Sequence, residues 1–129
     1  MLETGIKGRQ TETVTVEKTA AEVGSGTLPV YATPAMAALM EKTALLSVAA
    51  ELEDGMTTVG TKLDIAHISA SPVRSTITCE SELVEIDRRR LVFNVTVYDD
   101  AGEIGKGTHE RFIVDCGKFI EKTAEKLKK

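Results

Sequence analysis

The chain has 129 residues, of which 42% are hydrophobic and 28% are charged, so it is long enough to bury a core and is not typical of a disordered segment. Its net charge of −4 and pI near 5.2 offer no basic surface of the kind that binds nucleic acid or anionic membranes. No apolar run reaches the length of a membrane span, and the first ten residues lack the apolar segment of a signal peptide. We therefore expect a single domain over residues 1–129, without a nucleic-acid or membrane partner.

The N-terminal part predicts one strand followed by a loop. Residues 11–17, TETVTVE, alternate polar and β-branched residues, which is typical of a strand. The segment GSGTLP follows a few residues later and is permissive enough for a connecting loop. It lacks the lysine and the spacing of a phosphate-binding loop, so we interpret it as a connection that leads to the next element.

A long apolar helix is predicted from residue 33. Thr33 is a favourable N-cap and Pro34 a favourable first helical residue. At 100° per residue, Glu41 falls in the middle of an apolar stripe, with Thr43 and Ser47 on the other side. A carboxylate in that position is costly unless it is paired, hydrogen-bonded or protonated, and this makes Glu41 the first candidate site residue.

The strand predicted over residues 57–69 supplies a partner for that carboxylate. His67 shares its parity with Leu63 and Ile65, so it should point toward the layer that contains Glu41, whereas Gly60 has the opposite parity. Two ionisable groups are thus predicted to face one interior. Such a pair is either a catalytic site or a hydrogen-bonded polar group within a core, and spacing alone leaves both open.

The second half of the chain predicts consecutive antiparallel strands. Residues 73–86 form a long strand with a parity shift near residue 84 that indicates a bulge, and residues 91–98 and 103–115 form two more strands joined at DDAG. A short basic helix follows from about residue 117. The predicted class is therefore α+β: a five-stranded antiparallel sheet wrapped around one long central helix, which is the hotdog fold, plus a short C-terminal helix. Such a sheet leaves an edge for a second copy to cover, so we expect a homodimer.

Three segments resemble the fluoroacetyl-CoA thioesterase family of hotdog enzymes: VYATPAMAALMEKTA, VGTKLDIAHISASP and EIGKGTHERFIV. The resemblance runs from about residue 5 to residue 122. It implies a catalytic trio of a threonine, a glutamate eight residues later and a histidine on the next strand. These fall on Thr33, Glu41 and His67. It also implies that Gly60 and Arg111 belong to the substrate site.

One position departs from the family pattern. Fluoroacetyl-specific members carry a phenylalanine six residues before the threonine, as part of an aromatic lid, and here that position is Thr27. The resemblance therefore implies thioesterase chemistry with Thr27 at the substrate, without the preference for fluoroacetyl-CoA.

The predicted function is hydrolysis of a short-chain acyl-CoA, with Glu41 as general base or as nucleophile and His67 as its acid–base partner. The alternative is a hotdog dimer that binds acyl-CoA without cleaving it; a hotdog hydratase is disfavoured because no closely spaced Asp and His pair is present.

No cofactor is expected, and no metal, since no residues have zinc-like spacing. Because Thr33 and Glu41 are about 12 Å apart along one helix, the active site is predicted to be composite, with Thr33 of one subunit meeting Glu41 and His67 of the other.

Several other residues are interpreted as structural. His109 is expected at the surface or a sheet edge, and the arginines at 88–90 in a solvated turn, with contact to coenzyme A phosphates as the alternative. Cys79 and Cys116 lack metal or redox spacing and are expected to be small core residues in a reduced, cytoplasmic protein.

Overall fold

A computed structural model describes residues 1–128 and contains a five-stranded antiparallel sheet with a long helix against one face. The strands lie in the order β1-β3-β4-β5-β2, so β1 and β2 are the two edges. The strands are β1 (Lys7–Thr13), β2 (Met56–His67), β3 (Thr76–Asp87), β4 (Arg90–Tyr98) and β5 (Glu103–Asp115). The helices are α1 (Ala20–Val23), α2 (Thr33–Ala49) and α3 (Cys116–Ala124), with single 3-10 turns at Val16–Lys18 and Glu125–Leu127.

The hydrophobic core lies between α2 and the sheet. Strand β4 alternates buried and more accessible residues, and its buried side chains pack with those of α2 and β3. The fully buried members include Met36, Met40, Ala44, Val48, Ile77, Leu83, Leu91, Phe93, Val95 and Val97. The predicted α+β architecture, with its central helix and short C-terminal helix, is confirmed.

Helix α2 differs from the prediction in its start and in its buried face. Its N-cap is Ala32, and Thr33 is already helical and makes no capping bond. Thr43, predicted on the opposite side from the apolar stripe, is fully buried, because its hydroxyl donates to the Leu39 carbonyl at 2.7 Å and so needs no water. Glu41 is half-buried on the flank of the helix rather than at the centre of its buried face.

The N-terminal strand also lies earlier than predicted. It covers Lys7–Thr13, where it pairs with β3, and it ends where Val14 turns into the core with 1% of its surface exposed. The predicted run 11–17 is therefore divided between a strand end and a 3-10 turn. The alternation of residue types indicated a strand, but the burial of Val14 determines where it stops.

A bulge in β2 reverses the predicted parity of its first half. The register with β5 shifts between Gly60 and Lys62, so that Thr58 and Gly60 face the helix layer together with His67. The prediction that Gly60 faces away from His67 is wrong for this reason. The bulge predicted near residue 84 is present, between Leu83 and Glu85.

The two cysteines lie in different environments. Cys79 is buried, and burial raises the pKa of its thiol to about 11, as expected for an inert core residue. Cys116 is exposed at the start of α3, so its predicted place in the core is wrong. None of the helices formed by residues 1–128 is both long and apolar enough to span a membrane.

Candidate active site

Thr33 and His67 form a hydrogen-bonded pair within one chain. Thr33 is at the first turn of α2 and His67 is the last residue of β2, and Thr33 Oγ1 lies 2.8 Å from His67 Nδ1. The main chain fixes this approach, because Tyr31 N donates to the Ser71 carbonyl and Ala32 N to the Lys18 carbonyl, each at 2.8 Å. The hydroxyl that was predicted to cap the helix is therefore committed to the histidine.

His67 lines a cavity and keeps one ring nitrogen without a partner in the described part of the chain. Nε2 is buried and has no hydrogen-bond partner among residues 1–128. The Tyr31 ring packs edge-on against the imidazole, with ring centroids 6.2 Å apart. Burial lowers the pKa of His67, which favours its neutral form near pH 7. The cavity has a volume of about 300 Å³, and its lining includes Tyr31, Thr33, His67, Ser25 and Ser69.

A second polar cluster surrounds Gly60 on the same strand. A Cβ placed on Gly60 would lie 2.7 Å from Glu41 Oε2, 3.2 Å from His109 Cε1 and 3.3 Å from Arg111 Nη1. Three side chains from α2 and β5 therefore converge on the space that the missing side chain leaves open. The carboxylate and the guanidinium do not form an ion pair in the described part of the chain, so both face this space separately.

Hydrogen bonds determine which ring nitrogen of His109 carries the proton. Arg111 Nε donates to Thr58 Oγ1 at 2.7 Å and Nη2 donates to the Thr58 carbonyl at 2.8 Å. Its Nη1 lies 3.1 Å from His109 Nε2, and because a guanidinium only donates, Nε2 must accept. His109 Nδ1 then carries the proton, which it donates to the Lys62 carbonyl at 2.8 Å. Burial lowers the pKa of His109, consistent with this neutral tautomer.

His109 was missed as a site residue. It was expected at the surface or an edge, yet 1% of its surface is exposed and it contacts the arginine that the resemblance indicated. The available signal was its parity, since His109 and Arg111 lie two residues apart on one strand and must face the same side.

The structure places the predicted residues in two groups rather than one. Thr33 and His67 form one group; Glu41, Gly60 and Arg111 belong to the other, with His109. Gly60 and His67 are seven residues apart along β2, which is roughly 20 Å for an extended strand. The predicted arrangement in which one subunit supplies Thr33 to the other's Glu41 and His67 is therefore wrong in one respect, because Thr33 and His67 come from the same chain.

The remaining predicted positions lie outside both groups. Thr27 is exposed in the loop after α1 and does not line the cavity beside His67, although Ser25 of the same loop does. Arg88 and Arg89 are exposed in the turn between β3 and β4, whereas Arg90 pairs with Glu85 and Glu110. Residues 1–128 contain no group of three or more His, Cys, Asp and Glu side chains arranged to bind a metal ion.

Comparison with known proteins identifies the family. A family model described as fluoroacetyl-CoA-specific thioesterase matches residues 14–116. The chain therefore belongs to this family. It is 38% identical over 97 residues, or 75% of this chain and 70% of the relative, to the fluoroacetyl-CoA thioesterase of Streptantibioticus cattleyicolor. The expected enzyme class, a thioester hydrolase, is confirmed at the level of the family.

Solved structures confirm the fold. A structure of fluoroacetyl-CoA thioesterase superimposes with a TM-score of 0.92 at 32% identity, covering 98% of both chains. A hot-dog-like protein from Thermanaerovibrio acidaminovorans superimposes with a TM-score of 0.90 at 18% identity, covering 99% of this chain and 95% of the other. The predicted hotdog fold is thus shown.

Substitution of Gly60 tests the convergence of the second cluster. Gly60→Ala is expected to displace the Glu41 carboxylate, because the new methyl group would lie 2.7 Å from Oε2. The rate of thioester hydrolysis should fall by about 100-fold or more, the effect commonly measured when an acid–base group is removed or displaced. The thermal midpoint should change little, because the end of the Glu41 side chain can move aside. Gly117→Ala is the matched control, since a Cβ there would lie at an ordinary contact distance of 3.7 Å from Asp115 Oδ1. Parent-like kcat/KM in Gly60→Ala would contradict this view of the cluster.

The two histidines predict how stability depends on pH. Burial lowers the pKa of both His67 and His109 below 6.5, so below pH 6.5 the unfolded chain binds protons before the native chain does. The free energy of unfolding should therefore decrease as the pH falls from 6.5 through the native pKa values, and should be insensitive to these groups above about pH 7. Urea unfolding between pH 7.5 and 5.5, at one protein concentration, measures this. His109→Gln should reduce the slope; a slope equal to that of the parent would show that His109 does not titrate differently on folding.

Proposed function

We propose that this protein hydrolyses short-chain acyl-CoA thioesters to the free acid and coenzyme A, at a site built from two copies of the chain. The observation that carries the proposal is the Thr33–His67 pair, which lines a cavity and in which His67 Nε2 has no hydrogen-bond partner among residues 1–128. Membership of the thioesterase family and the similarity to a fluoroacetyl-CoA thioesterase support thioester chemistry at that cavity.

The need for a second copy follows from the distance between the two groups. The Thr33–His67 pair and the cluster around Gly60 lie at opposite ends of β2, too far apart to act on one thioester. Strand β2 is an edge of the sheet, and no strand formed by residues 1–128 pairs with its outer side. If two β2 strands pair antiparallel about a two-fold axis at Asp64, the bulged Thr61 of each strand brings His67 opposite Gly60 of the partner subunit. Thr33 and His67 of one copy then meet Glu41 of the other.

Apolar surface beside this edge supports the same arrangement. Ile68, just after β2, is 58% exposed. Leu45 is half-buried on α2, one helical turn from Glu41 and therefore on the face of the helix that lies toward β2. A second copy along β2 would remove these side chains from water and would also cover Thr33, which is exposed in a single chain.

The proposed chemistry assigns a separate task to each group. The Thr33 hydroxyl donates a hydrogen bond to His67 Nδ1. The proton of the neutral imidazole then lies on Nε2, where it can be donated in a hydrogen bond to the substrate. Glu41 acts as the general base on a water molecule held over Gly60. His109 is a positioning residue, because it accepts from Arg111 Nη1 and thereby orients the guanidinium toward the same space.

The proton balance of the proposed reaction is complete. Glu41 removes a proton from water, and the hydroxyl oxygen attacks the thioester carbonyl carbon. The carbonyl oxygen becomes negative and is stabilised by hydrogen-bond donors, of which His67 Nε2–H is one. When the C–S bond breaks, the carboxylic acid leaves, and the proton held by Glu41 passes to the coenzyme A thiolate.

Glu41→Gln is expected to abolish turnover while leaving the fold intact or more stable. The substitution is nearly isosteric and removes a half-buried charge, but an amide cannot accept the proton. Loss of a general base commonly costs a factor of about 100 or more. Thiol release from acetyl-CoA and the thermal midpoint should be measured together. Turnover at the parent rate would exclude Glu41 as the base, and unfolding would favour a structural role.

A mixture of two inactive variants tests the composite site. Light scattering should first give a mass near twice 13.9 kDa. After unfolding and refolding together, equal amounts of Thr33→Ala and Glu41→Gln chains should recover about a quarter of the parent activity, because half of the dimers are mixed and each has one complete site. A site contained within one chain would leave the mixture inactive. A fully active monomer would exclude the arrangement altogether.

The proposed substrate preference follows from the loop that contains Thr27. This loop is exposed and places no aromatic side chain over the cavity; the lining aromatic residue is Tyr31, whose hydroxyl donates to Glu12. We expect no strong selection of fluoroacetyl-CoA over acetyl-CoA, since acyl groups that differ by one atom are separated by only about 1–3 kcal/mol even in a close-fitting pocket. Competition between the two thioesters measures the ratio of kcat/KM. A preference beyond roughly a thousandfold would exceed this range and would contradict the expectation.

A further inference from the structure

A basic and aromatic cluster lies on the outer face of the sheet, near the end that carries the Glu41 group. Two adjoining cavities, of about 190 and 360 Å³, share Arg89 and Phe112 in their lining. Arg88 from the β3–β4 turn and two lysines of α3, Lys118 and Lys122, complete the basic part. We define these residues as the outer basic cluster.

The four cationic side chains of the outer basic cluster have no ion-pair partner within residues 1–128. The ion pairs of the described part of the chain include neither of its arginines and neither of its lysines, whereas the adjacent Arg90 is held by both Glu85 and Glu110. Two carboxylates line the same cavities, Asp87 and Asp115, and Asp115 is engaged by the Lys118 amide at 3.0 Å. Four cations against two carboxylates leave a local positive excess in a protein whose net charge is −4. Such an excess attracts phosphate.

Aromatic surface lies among these cations. Phe112 is 41% exposed and Phe119 is 39% exposed, although rings of this size are normally buried. Exposed rings flanked by arginine and lysine suit a ligand that combines a planar base with phosphates, because the base can stack while the phosphates accept charge-assisted hydrogen bonds.

The position of the cluster connects it to the proposed site. Phe112 is in register with Val59, and the neighbouring pair is Arg111 with Gly60, so the cluster begins one residue from the Glu41 group, on the opposite face of the sheet. In the proposed pairing of two β2 strands, residues 60–67 pair with the second copy, whereas residues 56–59 extend beyond it and remain uncovered. A flexible arm can therefore pass around the uncovered part of β2 from one face to the other.

We propose that the outer basic cluster binds the phosphorylated adenosine end of the coenzyme A substrate, with its phosphates on Arg88, Arg89 and Lys118 and its adenine against Phe112. This inference rests on the proposed acyl-CoA activity and names the part of the protein that recognises the nucleotide. Acyl-pantetheine, which has the same thioester and arm but no phosphates and no adenosine, should not use the cluster.

The test compares acetyl-CoA with acetyl-pantetheine in an Arg89→Ala/Lys118→Ala variant. We expect KM for acetyl-CoA to rise at least about tenfold, which corresponds to the loss of one charge-assisted hydrogen bond, while kcat stays unchanged. KM for acetyl-pantetheine should not change. Arg9→Ala, on the far edge strand β1, is the matched control and should behave as the parent with both substrates. Equal effects on the two thioesters, or no effect on either, would overturn the assignment.

Direct binding separates this inference from the proposed function. Calorimetry with adenosine 3′,5′-bisphosphate requires no hydrolysis, and the double variant should lose at least about tenfold in affinity. If the parent bound this probe through the cluster but cleaved no acyl-CoA, the nucleotide site would stand and the proposed function would fail. If the double variant bound the probe as well as the parent did, the nucleotide site would fail whatever the activity.

Discussion

The close approach of α2 to β2 at Gly60 is the constraint on which the second cluster depends. A helix carboxylate, a strand imidazole and a strand guanidinium each have an atom within 3.3 Å of the position that a Cβ would take there. The β2 bulge makes this possible, because it turns Gly60 toward the helix without changing the orientation of Leu63, Ile65 and His67. Without the register shift, Gly60 would face solvent and the guanidinium would meet a different side chain.

Burial of Arg111 is tolerated because three of its five N–H donors are hydrogen-bonded within the chain. Its side chain is nearly inaccessible, and burial lowers the pKa of its guanidinium while the nearby Glu41 carboxylate raises it. Two bonds to Thr58 and one to a neutral imidazole compensate for part of the lost hydration. A protonated His109 would place a second positive charge at 3.1 Å from Nη1, so the neutral state of His109 is part of what allows the arginine to be buried.

The sequence predicted the secondary-structure elements better than the arrangement of the candidate residues. Period-two alternation located β4 and β5, and the proline and apolar pattern located α2, because those signals are local. The orientation of Gly60 and the contacts of His109 depended on a bulge and on cross-strand register. These are fixed by tertiary packing and leave no local pattern. The Thr33 hydroxyl was assigned to capping for the same reason, since its actual partner is 34 residues away.

The fold separates a hydrogen-bonded anchor at Tyr31 from the exposed loop that precedes it. Tyr31 is tied to Ser71 through its amide and to Glu12 through its hydroxyl, and burial together with that hydrogen bond raises the pKa of Tyr31, so the phenol remains a donor. That anchor sets the start of α2, and hence the Thr33–His67 distance, independently of the exposed residues that precede it. Leu28 is 62% exposed and makes no contribution to the core. Substitutions in that loop can therefore alter what covers the cavity while the hydrogen-bonded pair beneath keeps its geometry.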